Sequence, residues 1–144
     1  MQAILRGEIL RTTVLCIDSY HRGILQGRFF HPTAPSGQSF HSLTQFLLAM
    51  EQHLNHTDYP TAFTSPRVFL PPAKRDAAPS DEPHRVGKTA TFSLRILFRQ
   101  NTSWQGSLTW IEGNQEQSFR SVLELITLLD SALTQQNTSE KSPA

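Results

Sequence analysis

Five of the six histidines of this 144-residue chain, His21, His31, His41, His53 and His56, fall in its first half, so a metal centre is the first chemistry to test. Imidazole ligands usually come in pairs at i, i+3 or i, i+4 on a helix, or i, i+2 on a strand. Of these five histidines, His53 and His56 alone meet such a spacing, and no carboxylate or cysteine pattern stands beside them. They read as groups at a helix end, interacting with its dipole, and no metal ligand is expected. Asp18, Glu51 and Asp130 are the carboxylates that could do acid or base work, yet Glu51 and Asp130 occupy equivalent helix positions and read as solvated charges. No glycine-rich phosphate loop, HExxH, CxxC pair or GxSxG elbow occurs. The residues therefore predict a protein that is not an enzyme and needs no cofactor, an enzyme with a histidine-based site in the first half being the lesser alternative.

A second chemistry is carried by Arg95 and Arg99, which alternate onto one strand face, with Trp104 and Trp110 following on the next strand. Basic and aromatic side chains on a sheet can hold single-stranded nucleic acid by phosphate contact and stacking. The same alternation sends both tryptophans to the side opposite the arginines, which separates platform from charge. With 13 basic and 12 acidic side chains there is no net field to draw a polyanion or an anionic membrane. Nucleic acid is thus the alternative partner; a protein, or a second copy of the chain, is the preferred one, and no membrane is expected.

The elements that must position these groups are written twice. Residues 15–54 and 94–133 align at a constant offset of 79 without a gap, and nine of the forty positions are identical. Chance would give roughly two or three. The identities include Gln26/Gln105, Gly27/Gly106, Gln38/Gln117, Ser39/Ser118, Phe40/Phe119 and Ser42/Ser121.

In the second copy Phe92, Leu94, Ile96 and Phe98 alternate with polar or smaller partners, as do Trp104, Gly106, Leu108 and Trp110 after a polar turn. That is a hairpin. Val122, Leu125, Ile126, Leu129 and Leu133 then recur at the spacing of one helix face. Ser121-x-x-Glu124 and Ser42-x-x-Gln45 are capping boxes, so both serines read as helix caps and not nucleophiles. Gly27 and Gly106, inside strands, mark a bulge or a close approach, for which helix packing is the simplest cause.

In the first copy Thr13, Leu15, Ile17, Leu25, Gly27 and Phe29 point inward, and Leu43, Phe46, Leu47, Met50 and Leu54 form the helix stripe. Its other strand face carries Leu10, Val14, Cys16, Tyr20, Ile24 and Phe30, and must be covered. The apolar run Phe63, Val68, Phe69, Leu70, Pro71 and Pro72 is the preferred cover. The lone Cys16 reads as a reduced, packed thiol.

Two signatures in the second copy, Phe98-Arg99-Gln100-Asn101-x-x-Trp104-Gln105-Gly106 and Ser118-Phe119-Arg120-Ser121-x-x-Glu124-Leu125, are followed by Asp130-Ser131-Ala132-Leu133. They resemble a group of small bacterial proteins carrying the same Trp-Gln-Gly and Phe-Arg-Ser-x-x-Glu-Leu patterns. The resemblance covers about the last third of the chain; it implies a bacterial source and brings no activity or site residue with it.

Together these observations predict one α+β domain of two tandem ββα repeats with pseudo-two-fold symmetry. Four antiparallel strands would form one sheet, with two helices on one face. Repeat 1 spans about 9–55, a proline-rich linker about 56–89, repeat 2 about 90–133, and 134–144 is a polar, disordered tail. The N-terminal apolar run breaks after Ile4-Leu5 and no 18-residue apolar stretch follows, which reads as a cytoplasmic protein. Expected partner contacts are Tyr20, Phe30, Phe69, Leu70, Arg95, Arg99, Trp104 and Trp110.

Overall fold

The two runs of alternating apolar residues meet in the middle of the molecule. β1 (Thr12–His21) and β5 (Ala90–Phe98) pair antiparallel, from Thr12↔Arg95 to Ile17↔Ala90. A computed structural model describes residues 12–32, 34, 36–58, 60–64, 67, 69, 79–80 and 85–141, with the backbone alone at 79–80 and 137–141. Beyond β1 lie β2 (Ile24–Phe30), β3 (Gly37–Phe40) and the two-residue β4 (Pro79–Ser80); beyond β5 lie β6 (Gln105–Trp110) and β7 (Gln115–Phe119). The strand order is β4-β3-β2-β1-β5-β6-β7, every ladder antiparallel.

The expected four-stranded sheet of ββα units is therefore wrong, although the class is α+β. Each half places three strands before its helix, and β4 adds a short seventh. β3 and β7 escape a reading by hydrophobic alternation because each has a single large apolar residue, Phe40 or Phe119, at its end. Both strands are held by the ladder to a hairpin neighbour, Gly27↔Phe40 and Gly106↔Phe119, more than by apolar side chains of their own.

Helices α1 (Leu43–Thr57) and α2 (Val122–Lys141) both pack on the face carrying Leu15, Ile17, Phe29, Phe92, Leu94 and Ile96, and all contribute to one core. Phe46, Ala49, Met50 and Leu54 come from α1; Leu125, Leu129, Ala132 and Leu133 come from α2. Ser42 Oγ accepts from the Gln45 amide at 3.1 Å and Ser121 Oγ from the Glu124 amide at 3.2 Å, the expected caps. The return bond reaches one residue further back than a standard box. Gln45 Oε1 accepts from the His41 amide, and Glu124 Oε1 from the Arg120 amide, each at 2.7 Å.

One irregularity in each central strand redirects half of the site candidates. The β1–β2 register slips between Ile17 and Ser19, and the β5–β6 register between Ile96 and Phe98, 79 residues later. A bulge inserts one residue, and because side chains alternate with period two, everything beyond it changes face. Tyr20 and Arg99, expected on the outer face, consequently point toward the helices. The same bulges explain Gly27 and Gly106. A Cβ on Gly27 would stand 2.0 Å from the Cys16 carbonyl oxygen, and one on Gly106 1.8 Å from that of Arg95. The close neighbour is the adjacent strand and not a helix.

Residues 85–89, a piece of linker not singled out in the sequence, lie on the outer face of the first half. Arg28 forms an ion pair with Asp18 at 3.1 Å and donates to the Val86 carbonyl at 2.9 Å. Lys88 N–H donates to Asp18 Oδ1, Thr89 N–H to the Ile17 carbonyl, and Gly87 N–H to Thr91 Oγ1. Residues 85–89 thus strap β1, with Arg85 over the ring of Phe30 at 5.1 Å. Beneath them Cys16 is completely buried, and burial pushes its thiol up to about 11. Phe63 and Phe69 are exposed, Phe69 by 97%, so Phe69 covers nothing on the sheet; Val68, Leu70, Pro71 and Pro72 lie outside the described residues.

α2 also outruns its expected end, continuing through 134–141 where a disordered tail was expected. Gln135, Gln136, Glu140 and Lys141 are good helix formers, no proline occurs before Pro143, and extending a formed helix is far cheaper than nucleating one.

Candidate functional site

The two halves differ at the groove between each helix and its outermost full strand. Beside β7 the groove is open. Phe92, Leu108, Trp110, Leu128 and Ala132 form its apolar lining, and Gln115, Gln117, Ser131 and Gln135 its polar rim, around a cavity of about 50 Å³. That is several times what a single water needs, so a small side chain can enter. Trp110 is set against the β6–β7 turn by Gly113, where a Cβ would fall 2.2 Å from the indole ring. The indole N–H of Trp110 is buried with no hydrogen-bond partner among the described residues. A buried donor left unpaired costs about 1–3 kcal/mol, which a ligand acceptor can recover.

The positions 79 residues earlier close the corresponding groove of the first half. His31 stands where the second half has Trp110, and His53 where it has Ala132. The two imidazoles stack at 5.2 Å and 15°, and His53 meets Phe29 edge-on. His53 was expected at the helix dipole; it is instead part of the packing. Burial first, and the neighbouring His53 second, pull His31 down to about 4, and burial followed by His56 lowers His53. His31 is buried and held neutral by the fold, whereas the unfolded chain takes up its proton near pH 6.5. Stability is therefore expected to rise with pH through the window from about 4 to 6.5, and to fall on acidification, by on the order of 2 kcal/mol. Urea unfolding of the protein and of His31→Phe at pH 7 and pH 4.5 checks this: the variant should lose markedly less stability between the two.

β7 itself is an exposed edge. Among the described residues no strand pairs with its outer side, whereas the opposite edge of the sheet is shielded by β4, which carries a proline. β7 has no lysine, proline or bulge, the usual guards of an edge. Its one charge, Glu116, is paired with Arg95 at 3.4 Å. The Ile111 amide donates to the Thr91 carbonyl on β5. By alternation the backbone groups of Trp110, Leu108 and Gly106 then face β7, so the N–H and C=O of Glu116 and Ser118 point away from the sheet.

The expected contact residues are dispersed by this geometry. Trp110 lines the groove. Trp104 is buried in the core, its indole N–H 3.4 Å from Glu51 Oε1. Tyr20 donates its hydroxyl to Asp130 of α2, and that bond, then burial, pushes it up to about 12. Arg99, which is buried, donates to Glu51 and Asn55 of α1 at 2.7 Å each and to the Pro60 carbonyl at 2.6 Å. Glu51 is thus the partner of a buried cation and not a solvated charge, whereas Asp130 is exposed, as expected of it, while accepting from Tyr20. Arg95 remains on the outer face with Ser107 and Glu116, so the two arginines do not form a common basic surface. Phe30 is buried on that face, and Phe69 is exposed apart from the groove residues; Leu70 lies outside the described residues. Gln115, Gln117, Leu128, Ser131 and Gln135 were missed as site residues. The Gln38/Gln117 identity was the available signal, and it was read as part of the fold.

These features define an α+β protein whose open edge strand and adjoining helix form a neutral, Trp-floored groove. No family model, curated protein or solved structure matches this chain. Among the described residues no helix is long and apolar enough to cross a membrane.

Proposed function

We propose that this protein is a binding protein, not an enzyme, and that it acts through protein–protein contact. Its β7 edge takes one further strand from a protein partner, and a side chain of that strand enters the cavity beside Trp110. The observation that carries this reading is the unguarded edge next to an open groove, in a chain whose other edge is shielded and whose other groove is filled. Strand addition takes affinity from main-chain hydrogen bonds and selectivity from a pocket for alternate side chains, and both parts are present here. The groove lining is uncharged, which favours a segment that presents an uncharged side chain to it.

A displayed library of neutral nonapeptides, followed by calorimetry on the selected peptides, tests the reading. Ser118→Pro removes an outward N–H without touching the β6 ladder, and Ser131→Phe fills the groove from an exposed helix position. Each is expected to weaken binding at least tenfold with an unchanged circular dichroism spectrum. Peptides that bind both variants as well as the parent would sink the reading.

A further inference from the structure

We infer that the strand added to β7 is β7 of a second copy of this chain, paired antiparallel about a two-fold axis through Gln117. This rests on the strand-addition reading and names the partner.

Register selects that axis. With Gln117 opposite Gln117 of the second copy, all five residues of β7 are paired, and Glu116 and Ser118 of one copy face Ser118 and Glu116 of the other. Those two residues hold the outward N–H and C=O groups, so about four main-chain hydrogen bonds form. An axis through Glu116 would oppose two carboxylates and leave part of the strand unpaired.

Charge and shape agree with the choice. On the helix side the patch that meets itself consists of Gln115, Gln117, Leu128, Ser131 and Gln135, with no charged side chain, and on the outer side each Glu116 keeps its own Arg95 and faces Ser118 of the other copy.

An axis perpendicular to the sheet keeps all helices on one face. α2 lies over β6 and β7. At about 4.8 Å per strand, the two α2 helices then stand roughly 10 Å apart, the spacing of packed helices. Two seven-stranded sheets become one continuous sheet bridged by a helix pair.

The test is the oligomeric state of the full chain by light scattering between about 1 and 100 μM, together with Ser118→Pro and Gln117→Cys. Expected are a dimer, a monomeric Ser118→Pro with unchanged circular dichroism, and a disulfide-linked dimer of Gln117→Cys on mild oxidation. Opposed residues at a two-fold in an antiparallel pair lie within disulfide reach, and Cys16 is buried and silent. Thr109→Cys, on β6, should not cross-link. A monomer that still captures library peptides in a Ser118-dependent way would overturn self-pairing and leave strand addition standing. A monomer that captures none would overturn both. A dimer indifferent to Ser118→Pro, with no link at position 117, would place the contact elsewhere and overturn the inference.

Discussion

Glu51→Leu is expected to cost the fold about 3 kcal/mol or more, far beyond what an ordinary helix-surface carboxylate contributes. Arg99 is 3% exposed and ends among Glu51, Asn55, the Pro60 carbonyl and, at 3.5 Å, the Leu54 carbonyl near the end of α1. Removing Glu51 leaves a guanidinium buried without its countercharge, the case in which loss of one partner costs about 3–5 kcal/mol. Removing both charges is a different matter, because a buried pair contributes little net stability once its desolvation is counted. Arg99→Met combined with Glu51→Leu should therefore recover a large part of the loss, and a double-mutant cycle by urea unfolding measures it. If the single variant loses less than about 0.5 kcal/mol, the pair is not the closed link described above. Tyr20 and Asp130 provide the internal comparison. They occupy the same two positions 79 residues away, with a neutral donor in place of the cation, and Tyr20→Phe should cost only about 1 kcal/mol.

Gly106→Ala is expected to be still more damaging, by about 3–5 kcal/mol or to the point of failed folding. The added methyl would fall 1.8 Å from the Arg95 carbonyl oxygen, 2.9 Å from its carbon and 3.0 Å from Ile96 Cα. All three are backbone atoms of β5 beside its bulge, so relief requires separating β5 from β6 in the middle of the sheet. No rotamer change can provide it, and overpacking that backbone must absorb lies at the costly end of single substitutions. Thr109→Ala, on the outer side of the same strand, is the control and should change stability by less than about 1 kcal/mol. Thermal unfolding with amide exchange across β5 and β6 reads both. Equal midpoints for the two variants would show that the strands separate easily at the bulge.

The inward stripe from Thr13 to Ile17, its counterpart from Phe92 to Ile96, both helix faces and both serine caps were legible because each follows a period set by its own residues. What escaped reading shares a different cause. A bulge leaves no mark on hydrophobicity, so strict alternation put Tyr20 and Arg99 on the wrong face and left Glu51 without its buried partner. β3 and β7 carry polar side chains on both faces and exist through their neighbours' hydrogen bonds. The groove was hidden for a related reason: nothing in Gln115, Gln117 or Gln135 alone tells that a strand edge and a helix flank bring them to one cavity. Only the offset identity of Gln38 and Gln117 pointed there. The strap over Phe30 was not legible because Asp18, Arg28 and Thr91 fix residues 85–89 by hydrogen bonds, which leave no apolar pattern in the sequence.

The β1–β5 ladder has a consequence for how the chain reaches this structure. Among the ladders of the six longer strands it is the one that joins residues far apart in sequence, Thr12 with Arg95 and Ile17 with Ala90, while β1–β2, β2–β3, β5–β6 and β6–β7 are hairpins of near neighbours. Local hairpins close in microseconds, but the central seam has to wait for a long loop to bring its ends together. Closure entropy grows only with the logarithm of loop length, so doubling the connecting segment would add about 0.6 kcal/mol. The collision of two preformed halves, and not the assembly of either, should set the folding rate, and the connection between them is where length can change with the least effect on it.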